Sequence, residues 1–147
     1  MKNIVLIAGI AHLIMFPQAF AETTPETAEP MALHKIMEDM GKNMKTIVDG
    51  ISHEDWVLVE KTAPLIANHP QPPMSEKKKI MAFFAADMSK FKSYDTKTHD
   101  AARVLGEVAA GKDGQAIISN FATLQNTCLM CHQNFRESFQ SHFYGMH

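Results

Sequence analysis

The sequence predicts an all-α fold, an antiparallel bundle of four principal helices, on three observations. Apolar residues recur at three- and four-residue steps through most of the chain, the period of a helix with one buried face. No segment alternates convincingly with the two-residue period of a half-buried strand. Chain breakers cluster between the periodic segments, at Asp49-Gly50, at His69-Pro70-Gln71-Pro72-Pro73 and at Gly111 and Gly114, so the helices are joined by short turns and one longer middle connector.

In chain order, residues 4 to 16 form an apolar run behind Lys2, and Ala19-Phe20-Ala21 supplies the small-x-small pattern read by signal peptidase, so residues 1–21 are expected to be a cleaved signal peptide. The run is interrupted by His12 and Pro17 and is too short for a bilayer span. Residues 22–30, rich in Thr, Pro and Glu, read as a flexible leader, and a helical domain is expected over 31–141, with a tail at 142–147. Leu33, Ile36, Met37, Met40, Met44, Ile47 and Val48 place the first helix at about 31–49. Ser52 and Asp55 make a capping box for a second helix carrying Trp56, Val59, Ala63 and Ile66, bent at Pro64 and ending near Asn68. Ser75 and Glu76 cap a third series, Ile80, Phe84, Met88 and Phe91, which either ends near Ser93 or runs with a kink into Tyr94, Ala101, Leu105 and Val108. The last stripe is Ile117, Phe121, Leu124, Cys128, Cys131, Phe135 and Phe139.

Composition narrows the function. With 147 residues, 46% of them apolar and 20% charged, the chain suits one ordinary globular domain. Its formal charge of −2 becomes one unit more negative once Lys2 is removed, and Lys77-Lys78-Lys79 reads as a solvated helix face, so nothing points to nucleic acid. Its two cysteines are only three residues apart, a poor disulfide staple for an exported domain. No serine, carboxylate pair or glycine-rich loop forms a catalytic set, and an enzyme is not expected.

Cys128-Leu129-Met130-Cys131-His132 is the C-x-x-C-H haem-attachment signature, in which two thiols add to the porphyrin vinyl groups and the imidazole ligates iron. On a helix these residues stand at i, i+3 and i+4, so both sulfurs and the imidazole are expected on the core-facing stripe, with one covalent haem c in the bundle interior. Arg136, four residues past His132, is a candidate partner for a haem propionate and equally reads as a surface arginine. A thioredoxin-type pair would need a βαβ setting. Zinc held by Cys128, Cys131, His142 and His147 would have too short an interval, no preceding hairpin, and no use for His132.

From Leu33 to Phe139 the chain resembles the class II cytochromes c, the family of cytochrome c-prime and its low-spin relatives. The resemblance is most specific at Cys128 to Arg136, which matches C-x-x-C-H-x-x-[aromatic]-R, and weak through the middle connector. It implies a four-helix bundle and electron transfer in the bacterial periplasm. In cytochrome c-prime a non-coordinating apolar side chain fills the distal position, whereas in the low-spin branch a first-helix methionine coordinates iron. From periodicity alone Met37, Met40 and Met44 are equivalent candidates, each with a core-filling alternative in a chain of eleven methionines. The resemblance of residues 36–44 to the low-spin pattern puts Met37 at the ligand position, and the soluble b-type four-helix cytochrome is similar there.

The expectation is a periplasmic one-electron carrier with His132/Met37 ligation, the alternative a five-coordinate haem protein that binds nitric oxide or carbon monoxide. Its partners are expected to be redox proteins, with neither nucleic acid nor, after cleavage, a membrane, and a homodimer is an open option. His34, His53, His69 and His99 read as surface residues, and the His/Met tail as a frayed terminus rather than a copper site.

Overall fold

The computed structural model of the chain describes residues 31–145, so the expected signal peptide, the leader and the last two residues, His147 among them, lie outside the described residues. Five α-helices are connected in order: α1 (Ala32–Ser52), α2 (Trp56–Ala67), α3 (Met74–Phe84), α4 (Met88–Ala110) and α5 (Gly114–Tyr144). A 3₁₀ turn at Ala85–Asp87 joins α3 directly to α4, so these two act as one kinked third helix of a four-helix bundle. None of these helices is long and apolar enough to cross a membrane.

The helix ends show where local sequence rules hold and where tertiary contacts override them. Asp49-Gly50 does not stop α1, which runs to Ser52. Gly50 is buried instead, and a Cβ there would stand 3.0 Å from Val59 Cγ2, so the missing side chain lets α2 start tightly against α1. Ser52 is not the cap of α2, because its hydroxyl donates back to the Val48 carbonyl at 2.8 Å. The cap is Asp55, whose Oδ1 accepts from the Leu58 amide at 3.0 Å. Ser75 likewise lies inside α3, which starts at Met74. Glu76 caps another helix: its carboxylate accepts the Ala32 and Leu33 amides at 2.8 and 2.7 Å and so closes the N-terminus of α1.

The kink in the third helix lies earlier than Ser93. Ala85 adopts φ 35°, a backbone region that a Cβ disfavours, and α4 then continues unbroken from Met88. Pro64 is accommodated within α2, where a Cβ on Gly106 of α4 would come within 3.1 Å of its ring, so the proline surface is matched by a glycine. Asp113 caps α5 by accepting the Gln115 and Ala116 amides, both at 3.1 Å. This last helix runs to Tyr144, past the boundary expected at 141, and closes on Gly145 at φ 62°.

The interior divides into two clusters. One is aliphatic, built from Ile47, Val59, Ala63, Ile66, Leu105, Ile117 and Leu124, with Met40, Met44 and Cys128 against its edge. The other is aromatic, centred on Ile80, Phe84 and Phe135, with Leu33, Phe91, Tyr94, Cys131 and Phe139 around it. Packing is extensive between α1 and α2, between α2 and α4, and between α4 and α5, whereas α1 and α5 touch only sparsely. That sparse seam separates the first helix from the last, and α3 touches α4 no more closely.

Candidate functional site

Helix α5 carries the C-x-x-C-H run across the junction of the two clusters. Cys128 packs on the aliphatic cluster and Cys131 on the aromatic one, each half-buried with a free thiol. Burial pushes the Cys128 thiol up. Cys131 is pushed up to about 11, first by burial, then by the negative charge of Asp95, and then by Cys128. Both sulfurs are therefore held toward the neutral thiol and are partly shielded from solvent.

His132 differs from expectation in its direction. The sulfurs stand on the core stripe as foreseen, but at about 100° per residue His132 falls on the flank of that stripe, and its side chain is exposed. It lines an open groove of about 510 Å³ with Leu129, Gln133 and Arg136. Partial desolvation of the ring, and secondarily the Arg136 guanidinium, hold its pKa below the ordinary histidine value. The ring is thus biased to the neutral form that can ligate a metal. Arg136 is exposed beside it, one helical turn on, where a ligand carboxylate in the groove would meet its guanidinium.

On α1, Met40 and Met44 are half-buried against the aliphatic cluster, whereas Met37 is 41% exposed. The neighbouring margin of α1 carries another uncovered apolar residue, Val48 at 46%, while Leu129 on α5 is 53% exposed. Large apolar side chains thus stand in solvent on both helices that border the sparse seam. Sequence periodicity placed Met37 with the other methionines and gave no sign that it stands apart from the packed pair.

The histidines expected at the surface separate into two groups. His53 is exposed, and His34 is half-buried with an edge-on contact to Tyr144 at 5.8 Å between centroids. His69 and His99 are also half-buried, and they face each other where the proline-rich connector meets α4. The tail is also more ordered than expected through Tyr144, since His142 and Phe143 pack on Phe83 at 4.6 and 5.3 Å between centroids. Of the zinc set Cys128, Cys131, His142 and His147, the last lies outside the described residues.

The donors present fit a haem c. Two thiols at helical spacing flank an apolar junction, a neutral imidazole stands next to the second, and a guanidinium follows on the same open groove. No curated protein and no solved structure matches the chain. Residues 31–136 match the family model described as Cytochrome C', which covers most of the chain and every residue of this constellation. With that match, its helical bundle and its C-x-x-C-H run on the last helix, the chain belongs to the Cytochrome C' family of class II cytochromes c.

Proposed function

We propose that the protein is a periplasmic monohaem electron carrier, with haem c attached covalently at Cys128 and Cys131, ligated by His132, and closed on the distal side by Met37. The observation that carries this reading is the seam between α1 and α5: the donor set lies on one bordering helix and a methionine not committed to packing lies on the other. Bound there, haem c supplies a ferric/ferrous couple that exchanges one electron at a time.

The chain's own residues do the rest. Cys128, against one cluster, and Cys131, against the other, would attach the group to α5. His132 presents a neutral nitrogen, held so by its partly desolvated setting and by Arg136. Arg136 offers its guanidinium to a propionate. Met40 and Met44 are already used as core packing, which leaves the Met37 thioether free to turn toward the seam. Thioether ligation favours the ferrous state and closes the position that a gas would need, which suits a carrier better than a sensor. The signal peptide expected at residues 1–21 supports export, and the partner is a protein with which electrons are exchanged.

Intact mass and optical spectra of the purified protein test this. A covalent haem surviving acid-acetone extraction, with low-spin ferric bands and a sulfur-to-iron charge-transfer band, is the expected result. High-spin bands with fast carbon monoxide binding would shift the reading to a gas-binding haem protein, and a chain without covalent haem would end both.

A further inference from the structure

We infer that His69, Asp95 and His99 form a second, non-haem site for a divalent transition-metal ion of the zinc type. One ligand atom from each residue lies within 4.8 Å of the other two. His69 Nε2 and His99 Nε2 stand 3.0 Å apart, and His99 Nε2 is 3.5 Å from Asp95 Oδ1. With metal–nitrogen and metal–oxygen bonds of about 2.0–2.2 Å, two ligand atoms on one tetrahedral ion stand about 3.3–3.4 Å apart, and the two observed separations bracket that value.

The orientation of His69 is specific. Its Nδ1 lies 2.8 Å from the Pro70 carbonyl, which can only accept, so Nδ1 carries the proton and Nε2 presents a lone pair to the cluster. A backbone carbonyl that fixes the far ring nitrogen is the usual support for a metal-binding imidazole. His99 has both the His69 nitrogen and the Asp95 carboxylate in front of the same Nε2, more acceptors than a single N–H can serve well. Moving its proton to Nδ1 gives two neutral nitrogens and one carboxylate converging on one point. Three protein donors leave a fourth position for water.

The site joins different parts of the chain. Asp95 and His99 are one turn apart on α4, whereas His69 belongs to the connector between α2 and α3, stiffened by Pro70, Pro72 and Pro73. An ion there staples the connector onto α4. The paired side chains His34–Glu38 and His53–Asp49, at 3.3 and 3.4 Å, each lack a third donor among the described residues and serve as internal controls.

Titration calorimetry of the full chain with zinc sulfate, alongside thermal melts with and without zinc, tests the site. One equivalent of zinc should bind the wild type and raise its melting temperature. His69→Ala and His99→Ala should each weaken that equivalent by more than the roughly 10- to 100-fold typical of losing an outer-shell partner, and abolish the zinc-dependent rise. His53→Ala should change neither, and helical circular dichroism should show that all variants fold. The inference is overturned if His69→Ala and His99→Ala keep the wild-type affinity, if a His142→Ala/His147→Ala variant loses the equivalent instead, or if the wild type binds no stoichiometric zinc.

Discussion

The two halves of the interior are built on different terms. In the aliphatic cluster Ile47, Val59, Ile66, Leu105, Ile117 and Leu124 are fully buried, and α1, α2, α4 and α5 all contribute. In the aromatic cluster only Ile80, Phe84 and Phe135 are buried, and the surrounding rings of Phe83, Phe91, Tyr94 and Phe139 remain partly in solvent although Phe84 stacks on Phe91 at 4.3 Å and meets Phe135 edge-on at 5.0 Å. The first half is sealed by side chains alone. The second leaves several large rings partly exposed around Cys131. The comparison teaches that one end of the bundle is a scaffold and the other a lining, and the C-x-x-C pair is placed where they meet.

The strongest way to break this comparison is to remove the attachment points. The Cys128→Ala/Cys131→Ala variant should lose covalent haem and melt well below the holoprotein, while hydrogen exchange stays slow in α2 and the second half of α4 and becomes fast around Phe84 and Phe135. Uniform loosening of both halves would show that they are not separate.

A pair of core deletions sharpens the point. Leu105→Ala should cost ~2 to 5 kcal/mol in denaturant melts, and the same amount whether haem is attached or not. Phe84→Ala should cost up to ~3 to 5 kcal/mol in the holoprotein but much less in the haem-free variant, where its surroundings are already loosened. Equal costs in both backgrounds would make the aromatic cluster an ordinary core. A smaller effect comes from Glu76, the carboxylate that caps α1 from α3: Glu76→Gln should cost about 0.5 to 2 kcal/mol and speed exchange at the N-terminus of α1, leaving the aliphatic end untouched.

Much of this architecture is legible in local sequence. Three- and four-residue apolar spacing marks the helices because each buries one face, and the proline run and the turn bracketed by Gly111 and Gly114 separate segments for local backbone reasons. What local rules miss is set by distant partners. Glu76 looks like a residue of its own helix but serves α1, Gly50 looks like a stop but is a contact point for α2, and Ser52 yields its capping role to Asp55. The site divides in the same way. Cys128, Cys131 and His132 are readable as a motif, yet the flanking direction of His132 depends on which stripe the rest of α5 buries. His69 and His99 lie thirty residues apart and meet only because the connector folds back over α4, a juxtaposition that no spacing rule encodes.

The central claim is that Met37, the first-helix methionine left free by packing, closes the iron. The ferric spectrum of Met37→Ala, compared with Met40→Ala and Met44→Ala, tests it most directly. The account predicts that Met37→Ala turns from low to high spin and binds carbon monoxide faster once reduced. Met40→Ala and Met44→Ala should stay low-spin and lose only stability, up to ~2 to 5 kcal/mol. A low-spin Met37→Ala, or a wild type that is already high-spin, would contradict it.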